Sequence, residues 1–443
     1  MTKGLKLIIA VSVVVVLSGV LAGVYIYGKG ANGKFLAKSP EKTEIKATDT
    51  KSVPDGNTRQ GIGQQALPSD GVSPPSVNPK QEPAEAKEPE KPQRMKNAAV
   101  KAVYLSGDSA GSKKVINHII ELTKTTELNA VVIDVKEGGK VNYNSQIPAV
   151  REYAAFHPLY DAESVIKTLH DNNVYVIGRV VCFRDTVLAE KRADLAVKKV
   201  SGQLWREGRF AWTNPYNEEV WKYNIDIAAE ALDKGFDEIQ FDYVRFPTTR
   251  KSEVDYGKDV PSKADTICKF LETAKKKLHD EMGASVSADV FGIICESQGD
   301  TEGIGQVLER VGKDMDCISP MLYPSHYANA SHGINGNGVG QSVNGVEFKA
   351  PDLEPYKVVY NSLVKAKDRL SKTQGYNARV RPYLQAFTAS YLSKGYYQKY
   401  GAEQIRQQIK AVYDAGYNEW ILWDPANAYP DNAFEKKQAA LQQ

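Results

Sequence analysis

The sequence predicts a (β/α)8 TIM barrel preceded by a single N-terminal transmembrane helix and a disordered linker. Three observations predict this order: an uncharged apolar run near the N-terminus, a Pro-, Lys- and Glu-rich stretch after it, and strand-like segments that alternate with helix-like ones between residues 98 and 432. An open doubly wound sheet would alternate in the same way. However, no G-x-G-x-x-G or Walker-type loop follows the first strand.

The apolar run Leu7–Tyr27 carries no charge, and at ~1.5 Å per residue it is long enough to span a ~30 Å bilayer core. Lys3 and Lys6 precede it, so residues 1–6 are expected in the cytoplasm, residues 7–28 in the membrane as a signal anchor, and the rest outside the cell. The predicted localisation is therefore the cell membrane, single-pass, with an extracellular C-terminal domain. A cleaved signal peptide is the alternative, and the protein would then be secreted.

Residues 29–97 are dominated by Pro, Lys, Glu, Ser, Gly and Gln. Such a segment cannot bury enough apolar surface to offset the entropy of ordering it, so we expect a disordered tether that is extended in its Pro-rich half. The barrel domain is expected at residues 98–432, and residues 433–443 form a C-terminal tail.

Composition excludes several classes of function. Lys plus Arg number 57 and Asp plus Glu number 54, and this balance does not indicate a nucleic-acid-binding protein. The 4 cysteines and 6 histidines show no ligand spacing, so we expect neither a metal nor a cofactor. No G-x-S-x-G elbow is present, so the sequence does not indicate a hydrolase with a nucleophilic serine of that type. Nothing in the sequence indicates an oligomeric state.

Alternation and helical periodicity place the elements of the barrel. The predicted strands are Ala102–Ser106, Ala130–Lys136, Val174–Phe183, Glu238–Phe246, Ser285–Phe291, Cys317–Tyr323, Val380–Phe387 and Glu419–Asp424. The predicted helices are Ser112–Thr125, Ala162–Asn172, Glu218–Lys234, Ser262–Met282, Ile304–Lys313, Tyr356–Thr373 and Ala402–Ala415. The longest insertions, Arg184–Trp212, Ser325–Pro351 and Thr388–Gly401, all follow strand C-termini, where barrel enzymes build their sites.

Alternate residues of a barrel strand face the interior. The charged residues assigned to the interior are Asp134, Lys136, Arg179, Asp242, Asp289, Arg381 and Asp424, and Tyr104, Tyr323 and Leu422 are assigned there with them. One interpretation of these charged residues is structural: they would form ion pairs that only hold the strands in register. Because a buried charge is costly unless it is paired, this many charged groups in one interior favour a functional site at the barrel mouth.

Paired carboxylates are the catalytic groups of glycoside hydrolases. One acid protonates the leaving oxygen while the second attacks the sugar or activates water. Aromatic residues on or just after strand ends could stack on sugar faces. These residues are Tyr104, Trp205, Trp212, Tyr243, Tyr323, Tyr327, Trp423 and Tyr429.

Six blocks of sequence, in this order, resemble a bacterial family of TIM-barrel glycoside hydrolases that is distantly related to the alpha-amylase-like barrels. The blocks are Ala130–Lys136, Gly178–Asp185, Trp212–Pro215, Phe241–Pro247, Ser287–Gly292 and Ser319–Pro324. The resemblance implies a nucleophile at the end of the fourth strand and an acid/base at the end of the fifth, which are Asp242 and Asp289 here. Amylase-like enzymes have Glu at the fifth-strand position, so Glu296 in the following loop is a reserve acid.

These considerations give two hypotheses. The first is a membrane-tethered extracellular glycoside hydrolase that acts on a cell-wall or surface polysaccharide. Its catalytic residues would be Asp242 and Asp289, and its substrate-binding residues Tyr104, Asp134, Lys136, Arg179, Trp212, Arg245, Glu296, Tyr323, Arg381 and Asp424. The second is a non-catalytic barrel that binds glycan or acts as an envelope scaffold, in which the acids pair with Arg179 and Arg245.

Overall fold

The computed structural model describes residues 94–95, 99–250, 252–313, 315–327 and 342–437. The predicted membrane anchor lies outside these residues, as does the predicted linker apart from Arg94 and Met95. No helix within the described ranges combines the length and the apolar character needed to cross a bilayer.

The described residues contain eight parallel strands that close into a ring. The strands are β1 Lys101–Leu105, β2 Ala130–Glu137, β3 Tyr175–Val181, β4 Glu238–Asp242, β5 Ser285–Phe291, β6 Cys317–Leu322, β7 Arg379–Val380 with Tyr383–Gln385, and β8 Trp420–Trp423. Each strand pairs with the next, and β1 pairs with both β2 and β8, which closes the barrel. The predicted barrel is confirmed.

Helices connect the strands on the outside. They are α1 Lys113–Thr125, α2 Ala162–His170, α3 Glu218–Asp233, α4 Lys263–Lys275, α5 Leu308–Val311, α6 Pro355–Ser371 and α7 Ala402–Asp414. Shorter helical segments are Gly107–Ala110, Pro148–Glu152, Thr186–Lys191, Ala193–Leu195, Gly292–Cys295, Pro324–Tyr327, Pro351–Leu353 and Asp431–Ala433, and a π-helical turn, Lys276–Glu281, continues α4. Two short antiparallel hairpins pair Arg206–Glu207 with Phe210–Ala211 and Ser342–Val343 with Val346–Glu347, and Lys140–Val141 extends the sheet beside β2.

Local sequence accounts for the helix starts. The side chains of Asp161, Asn217 and Ser262 accept hydrogen bonds from backbone N–H groups in the first turns of α2, α3 and α4, respectively. Helix α3 buries Val220, Ile227 and other apolar residues against the sheet. The helices therefore cover the outer faces of the strands and leave the interior to the opposite set of side chains.

Strand β2 contains an irregularity that reverses part of the predicted pattern. Asp134 pairs with Arg179 of β3, but Lys136 pairs with the next residue, Val180, so one residue of β2 is a bulge. The prediction that Lys136 faces the interior is therefore wrong. Its ammonium lies 2.6 Å from Asp185 and 2.8 Å from the amide oxygen of Asn224 on α3, with no solvent exposure.

The prediction that Leu422 faces the interior of the barrel is also wrong. Ile421 packs in the apolar cluster inside the barrel with Trp423 against it, whereas Leu422 belongs to the outer core. The continuous run Trp-Ile-Leu-Trp offers no polar position from which the facing could be read. Asp424 follows the strand and does not line its interior face.

The lower interior of the barrel is closed by an ion pair and by the chain that leads into it. Arg381 lies inside as predicted, but it bonds Glu238 at the start of β4 and is fully buried, so it is not at the mouth. Met95 packs against the same interior cluster, and its backbone N–H donates to Asp237 at 2.7 Å. Arg94 donates to the carbonyl of Met282. The barrel therefore includes residues that precede position 98.

Replacing Met95 with Asp in the full chain is expected to lower the free energy of unfolding by about 1–3 kcal/mol, because a partly buried apolar contact is lost and a carboxylate is placed beside Asp237. Met95→Leu conserves volume and should stay close to wild type. Denaturant unfolding followed by circular dichroism measures both variants. Equal stability of wild type and Met95→Asp would show that this segment does not seal the barrel.

Candidate active site

The guanidinium of Arg179 occupies the centre of the barrel mouth and bonds three carboxylates. Its Nη1 donates to Asp134 Oδ1 at 2.6 Å and to Glu137 Oε2 at 2.9 Å. Its Nε and Nη2 donate to Asp242 Oδ2 at 2.9 and 2.6 Å. Arg179 is 3% exposed, so these bonds form in a region largely shielded from water.

Burial and charge act in opposite directions in this cluster. Burial alone would lower the pKa of Arg179, but Asp242, Asp134 and Glu137 together raise it well above its usual value. For Asp134, burial raises the pKa to about 6, with Glu137 adding to the effect and Arg179 opposing it. For Glu137, burial is outweighed by Arg179 and Arg184, and the pKa is lowered. Asp134 also accepts a 2.6 Å hydrogen bond from the hydroxyl of Tyr104.

Asp242 is the last residue of β4. Its Oδ1 accepts from the backbone N–H of Tyr243 at 2.5 Å, while its Oδ2 is held by Arg179. Tyr243 has a φ of 48°, a left-handed conformation that is unusual for an aromatic residue and is often found at functional sites. The strand therefore ends four residues before the predicted end, and Asp242 stands at the rim with 7% exposure.

Asp289 lies beside Asp242 on the neighbouring strand, because Phe241 of β4 pairs with Ala288 of β5 and neighbouring strands are about 4.8 Å apart. Its surroundings differ sharply from those of Asp242. Its Oδ1 is buried without a hydrogen-bond partner, and the residue is 1% exposed. Burial, followed by the negative charge of Asp242, raises the pKa of Asp289 well above its usual value.

Aromatic rings surround the two acids. Tyr104 stacks on Trp423, with ring centroids 3.9 Å apart. Tyr323 contacts His326 and Phe387 edge-on. Burial and the charges of Asp289 and Asp242 raise the pKa of Tyr323 well above its usual value, as expected for a ring close to both acids. Trp423 and Phe387 are partly exposed, so their rings are accessible from the mouth.

The expectation that Trp212 stacks on a sugar is wrong, because the ring is fully buried. It packs edge-on against Tyr243, and the guanidinium of Arg245 lies over it at 4.7 Å. Arg245 is 1% exposed and also lies over the rings of Tyr243 and Phe291. Neither residue is open to a ligand in this conformation.

Two further residues predicted to bind substrate, Asp424 and Glu296, instead bond the backbone of loops. Both carboxylate oxygens of Asp424 accept backbone N–H bonds, from Ala426 at 3.0 Å and Ala428 at 3.1 Å, so Asp424 shapes the turn after β8. Glu296 accepts from the N–H of Asn344, and its charged neighbours are Lys365 and Arg369 on α6. Glu296 is therefore not positioned to replace Asp289.

The predicted residues that meet at the mouth are Tyr104, Asp134, Arg179, Asp242, Asp289 and Tyr323. Sequence reasoning missed Glu137 and Arg184, whose guanidinium bonds Glu137 at 3.2 Å. The glycines at 138 and 139, both with positive φ, could have indicated that β2 ends in a sharp turn that brings Glu137 to the rim. No group of three potential metal ligands occurs among the described residues.

Comparison with known protein families gives a match that covers most of the barrel. The family described as "Putative glycosyl hydrolase domain" (DUF4015) matches residues 102–429. The chain belongs to this family. The predicted family resemblance is thus confirmed, and together with the barrel it identifies the chain as a hydrolase that acts on glycans.

Solved structures also match the chain. A hypothetical protein from Ruminiclostridium thermocellum ATCC 27405 is 46% identical, with 42% of this chain and 97% of that chain covered and a TM-score of 0.40. The PgaB (BpsB) glycoside hydrolase domain from Bordetella bronchiseptica is 13% identical, with 77% and 100% covered and a TM-score of 0.52, and this likeness supports the fold. An endo-1,4-beta-D-mannanase from Thermotoga petrophila RKU-1 is 11% identical, with 76% and 95% covered and a TM-score of 0.45. A search of curated proteins found no match.

Replacing Arg179 with Met is expected to lower the free energy of unfolding by about 3–5 kcal/mol at pH 8, because three carboxylates lose their shared counter-charge. The pKa of Asp134, about 6 in wild type, should rise further in the variant. The loss should therefore shrink as the pH falls to 5, where protonation removes negative charge. Denaturant unfolding at both pH values measures it.

Arg192→Met is a matched control, since Arg192 pairs with Asp194 and Glu219 at the surface. Its stability should equal that of wild type at both pH values. A loss for Arg179→Met that does not change with pH would show that packing, and not charge, accounts for the effect of Arg179.

Proposed function

We propose that the chain is a membrane-tethered extracellular glycoside hydrolase that acts on a cell-wall or surface polysaccharide, with Asp242 as nucleophile or base and Asp289 as acid. One observation carries the assignment of roles. Adjacent strands present two carboxyl groups in opposite environments, one bonded to an arginine and one buried with an unpartnered oxygen. Carboxyl groups whose environments separate their pKa values are those that divide acid and base roles.

The proposed chemistry follows from these environments. The raised pKa of Asp289 keeps its proton available for the glycosidic oxygen as the bond breaks. Arg179 stabilises the negative charge of Asp242, which then attacks the anomeric carbon or takes a proton from water. Asp289 is shorter than the Glu of amylase-like enzymes. Its burial beside Asp242 nevertheless supports the acid role.

Partly exposed rings support a carbohydrate substrate. Trp423, at the end of β8, and Phe387, just after β7, lie at the same end of the barrel as the two acids. A sugar ring presents an apolar face of C–H groups that packs well on an aromatic ring. Bound glycan would then extend across the mouth over Asp242 and Asp289.

The non-catalytic alternative also has one observation in its favour. Arg179 bonds Asp134 and Asp242 together, as expected of a barrel that uses its acids for ion pairing. In that case the protein would bind glycan at the same mouth without cleaving it. Reducing-end release from peptidoglycan and defined polysaccharides, measured alongside binding of the same polymers, separates the two functions.

The membrane tether and the extracellular location rest on the apolar run at residues 7–28 and the Lys residues before it. The Pro- and Lys-rich segment at residues 29–97 would hold the barrel away from the bilayer. Such an arrangement suits a substrate in the cell envelope. The alternative is a cleaved signal peptide and a secreted enzyme.

Replacing Asp289 with Asn is expected to reduce hydrolysis of an unactivated glycoside by about 10²–10⁴-fold, because protonation of the leaving oxygen is lost. A substrate with a nitrophenyl leaving group should lose much less. In wild type, activity should fall as the pH rises through the raised pKa of Asp289, and this alkaline limb should be absent in the variant. Rates measured from pH 4 to pH 9 on both substrates check this.

Asp352→Asn is a suitable control. Burial raises the pKa of Asp352 to about 6, yet its carboxylate bonds Gln385 and Gln398, away from the two acids. The rate and the alkaline limb should be those of wild type. If Asp242→Asn and Asp289→Asn fold normally and cleave as fast as wild type, the assignment fails.

The full chain is expected to sediment with membranes after an alkaline carbonate wash, and deletion of residues 7–28 should release it into the soluble fraction. Mass spectrometry of the purified protein shows whether the first 28 residues are retained. A shortened chain found only in the medium would support the secreted form and exclude the anchor.

A further inference from the structure

A cluster of cationic and aromatic side chains lies on the rim beside Asp242. We call it the basic aromatic cluster; its members are Arg184, Trp212, Tyr243, Arg245 and Phe291. The guanidinium of Arg184 lies 3.6 Å from the centre of the Tyr243 ring, and that of Arg245 lies 4.6 Å from Phe291. These distances are typical of cation–π contacts.

The cluster contains three buried donors that have no acceptor. They are Arg184 Nε, Arg245 Nε and Trp212 Nε1. Arginine and tryptophan can only donate, and a buried donor without a partner is costly. Trp212 and Arg245 are too deeply buried to reach a ligand directly, so Arg184, which lies nearest the opening of the three, is the residue that can donate to an acceptor-rich group.

Charge in the cluster is also unbalanced. Arg245 makes no ion pair with any described residue, and within the described part of the chain it donates one hydrogen bond, to the carbonyl of Phe246 at 3.0 Å. Burial lowers the pKa of Arg245, and Glu207 opposes this effect from a distance without forming an ion pair. Among the described residues, Arg184 forms an ion pair with Glu137, which it shares with Arg179, and the charge of Asp242 also acts on it.

The cluster adjoins the proposed catalytic pair. Tyr243 follows Asp242 directly, and its N–H donates to the Asp242 carboxylate. Arg184 is 8% exposed and Tyr243 is partly exposed, whereas Arg245 and Trp212 lie beneath them. A sugar bound next to the cleavage point would therefore meet Arg184 and Tyr243 first.

From this geometry we propose, resting on the proposed glycosidase function, that the substrate is an acidic glycan and that Arg184 binds a carboxylate on the sugar next to the cleavage point. A carboxylate only accepts hydrogen bonds and carries the charge that the cluster lacks. A neutral sugar hydroxyl would bring a donor of its own. Arg245, whose guanidinium lies 5.2 Å from the centre of the Tyr243 ring, adds positive charge behind the site.

The test uses the full chain carrying Asp289→Asn, so that bound polymer is not cleaved. Its affinity for polygalacturonate, hyaluronan and alginate is measured by calorimetry, each against the same polymer with its carboxyl groups chemically reduced to alcohols. At least one acidic polymer should bind about 10-fold or more tightly than its reduced form. This preference should weaken as salt is raised, because it is carried by charge.

Arg184→Gln in the same background should remove the preference, and Arg184→Lys should keep part of it because the charge remains. Arg192→Gln replaces a surface arginine that pairs with Asp194 and Glu219, and it should behave like the parent. Circular dichroism confirms that each variant is folded. An Arg184→Gln variant that keeps the full preference would overturn the role of Arg184.

Equal affinity for the acidic and reduced forms of all three polymers, or no binding to any of them, overturns the proposal. Cleavage assays of wild type on neutral glycans then decide the separate question of the proposed function. Cleavage of a neutral glycan leaves the hydrolase intact and removes only its acidic specificity. Absence of cleavage and of binding on every polymer removes both.

Discussion

The barrel mouth depends on the sharing of one buried guanidinium among three carboxylates. Arg179 bonds Asp134, Glu137 and Asp242 where only 3% of its own surface meets solvent. Each of these charges would be costly alone, and removing one partner of a buried pair leaves the others uncompensated. The three strands that carry them must therefore keep their register for the site to exist. Structure and site are maintained by the same interaction.

The position of Arg179 also makes the surroundings of the Asp242 carboxylate different from those of the Asp289 carboxyl group. Arg179 bonds the first directly, whereas Oδ1 of the second has no hydrogen-bond partner. Because the two residues stand beside each other on β4 and β5, the charge of Asp242 adds to burial in raising the pKa of Asp289. The proposed base role of Asp242 thus arises from its bond to Arg179 on β3, and the proposed acid role of Asp289 from its burial and the adjacent charge of Asp242.

Alternation along the strands was enough to predict the barrel, the two acids, Arg179 and Asp134. It failed where the backbone departs from the regular period or where the side chains carry no polarity. The bulge in β2 turned Lys136 outward, and the uniformly apolar β8 concealed that Trp423, not Leu422, faces inward. The burial of Trp212 could not be predicted, because it depends on how a long insertion folds over the rim. The alternation of apolar and polar residues therefore predicts where strands lie better than it predicts which way the side chains near their ends face.

The bulge in β2 has a further effect on the rim. One extra residue turns Lys136 toward Asp185 and Asn224, and it brings Glu137 to the mouth instead. Glu137 then bonds both Arg179 and Arg184, and the guanidinium of Arg184 also lies over the ring of Tyr243. With a regular β2, Lys136 and not Glu137 would lie beside Arg179 and Arg184. Repulsion among the three cations would then displace Arg184. The irregular strand thus supplies the shared carboxylate that allows Arg179, which bonds Asp242, and Arg184, a member of the basic aromatic cluster, to lie close together.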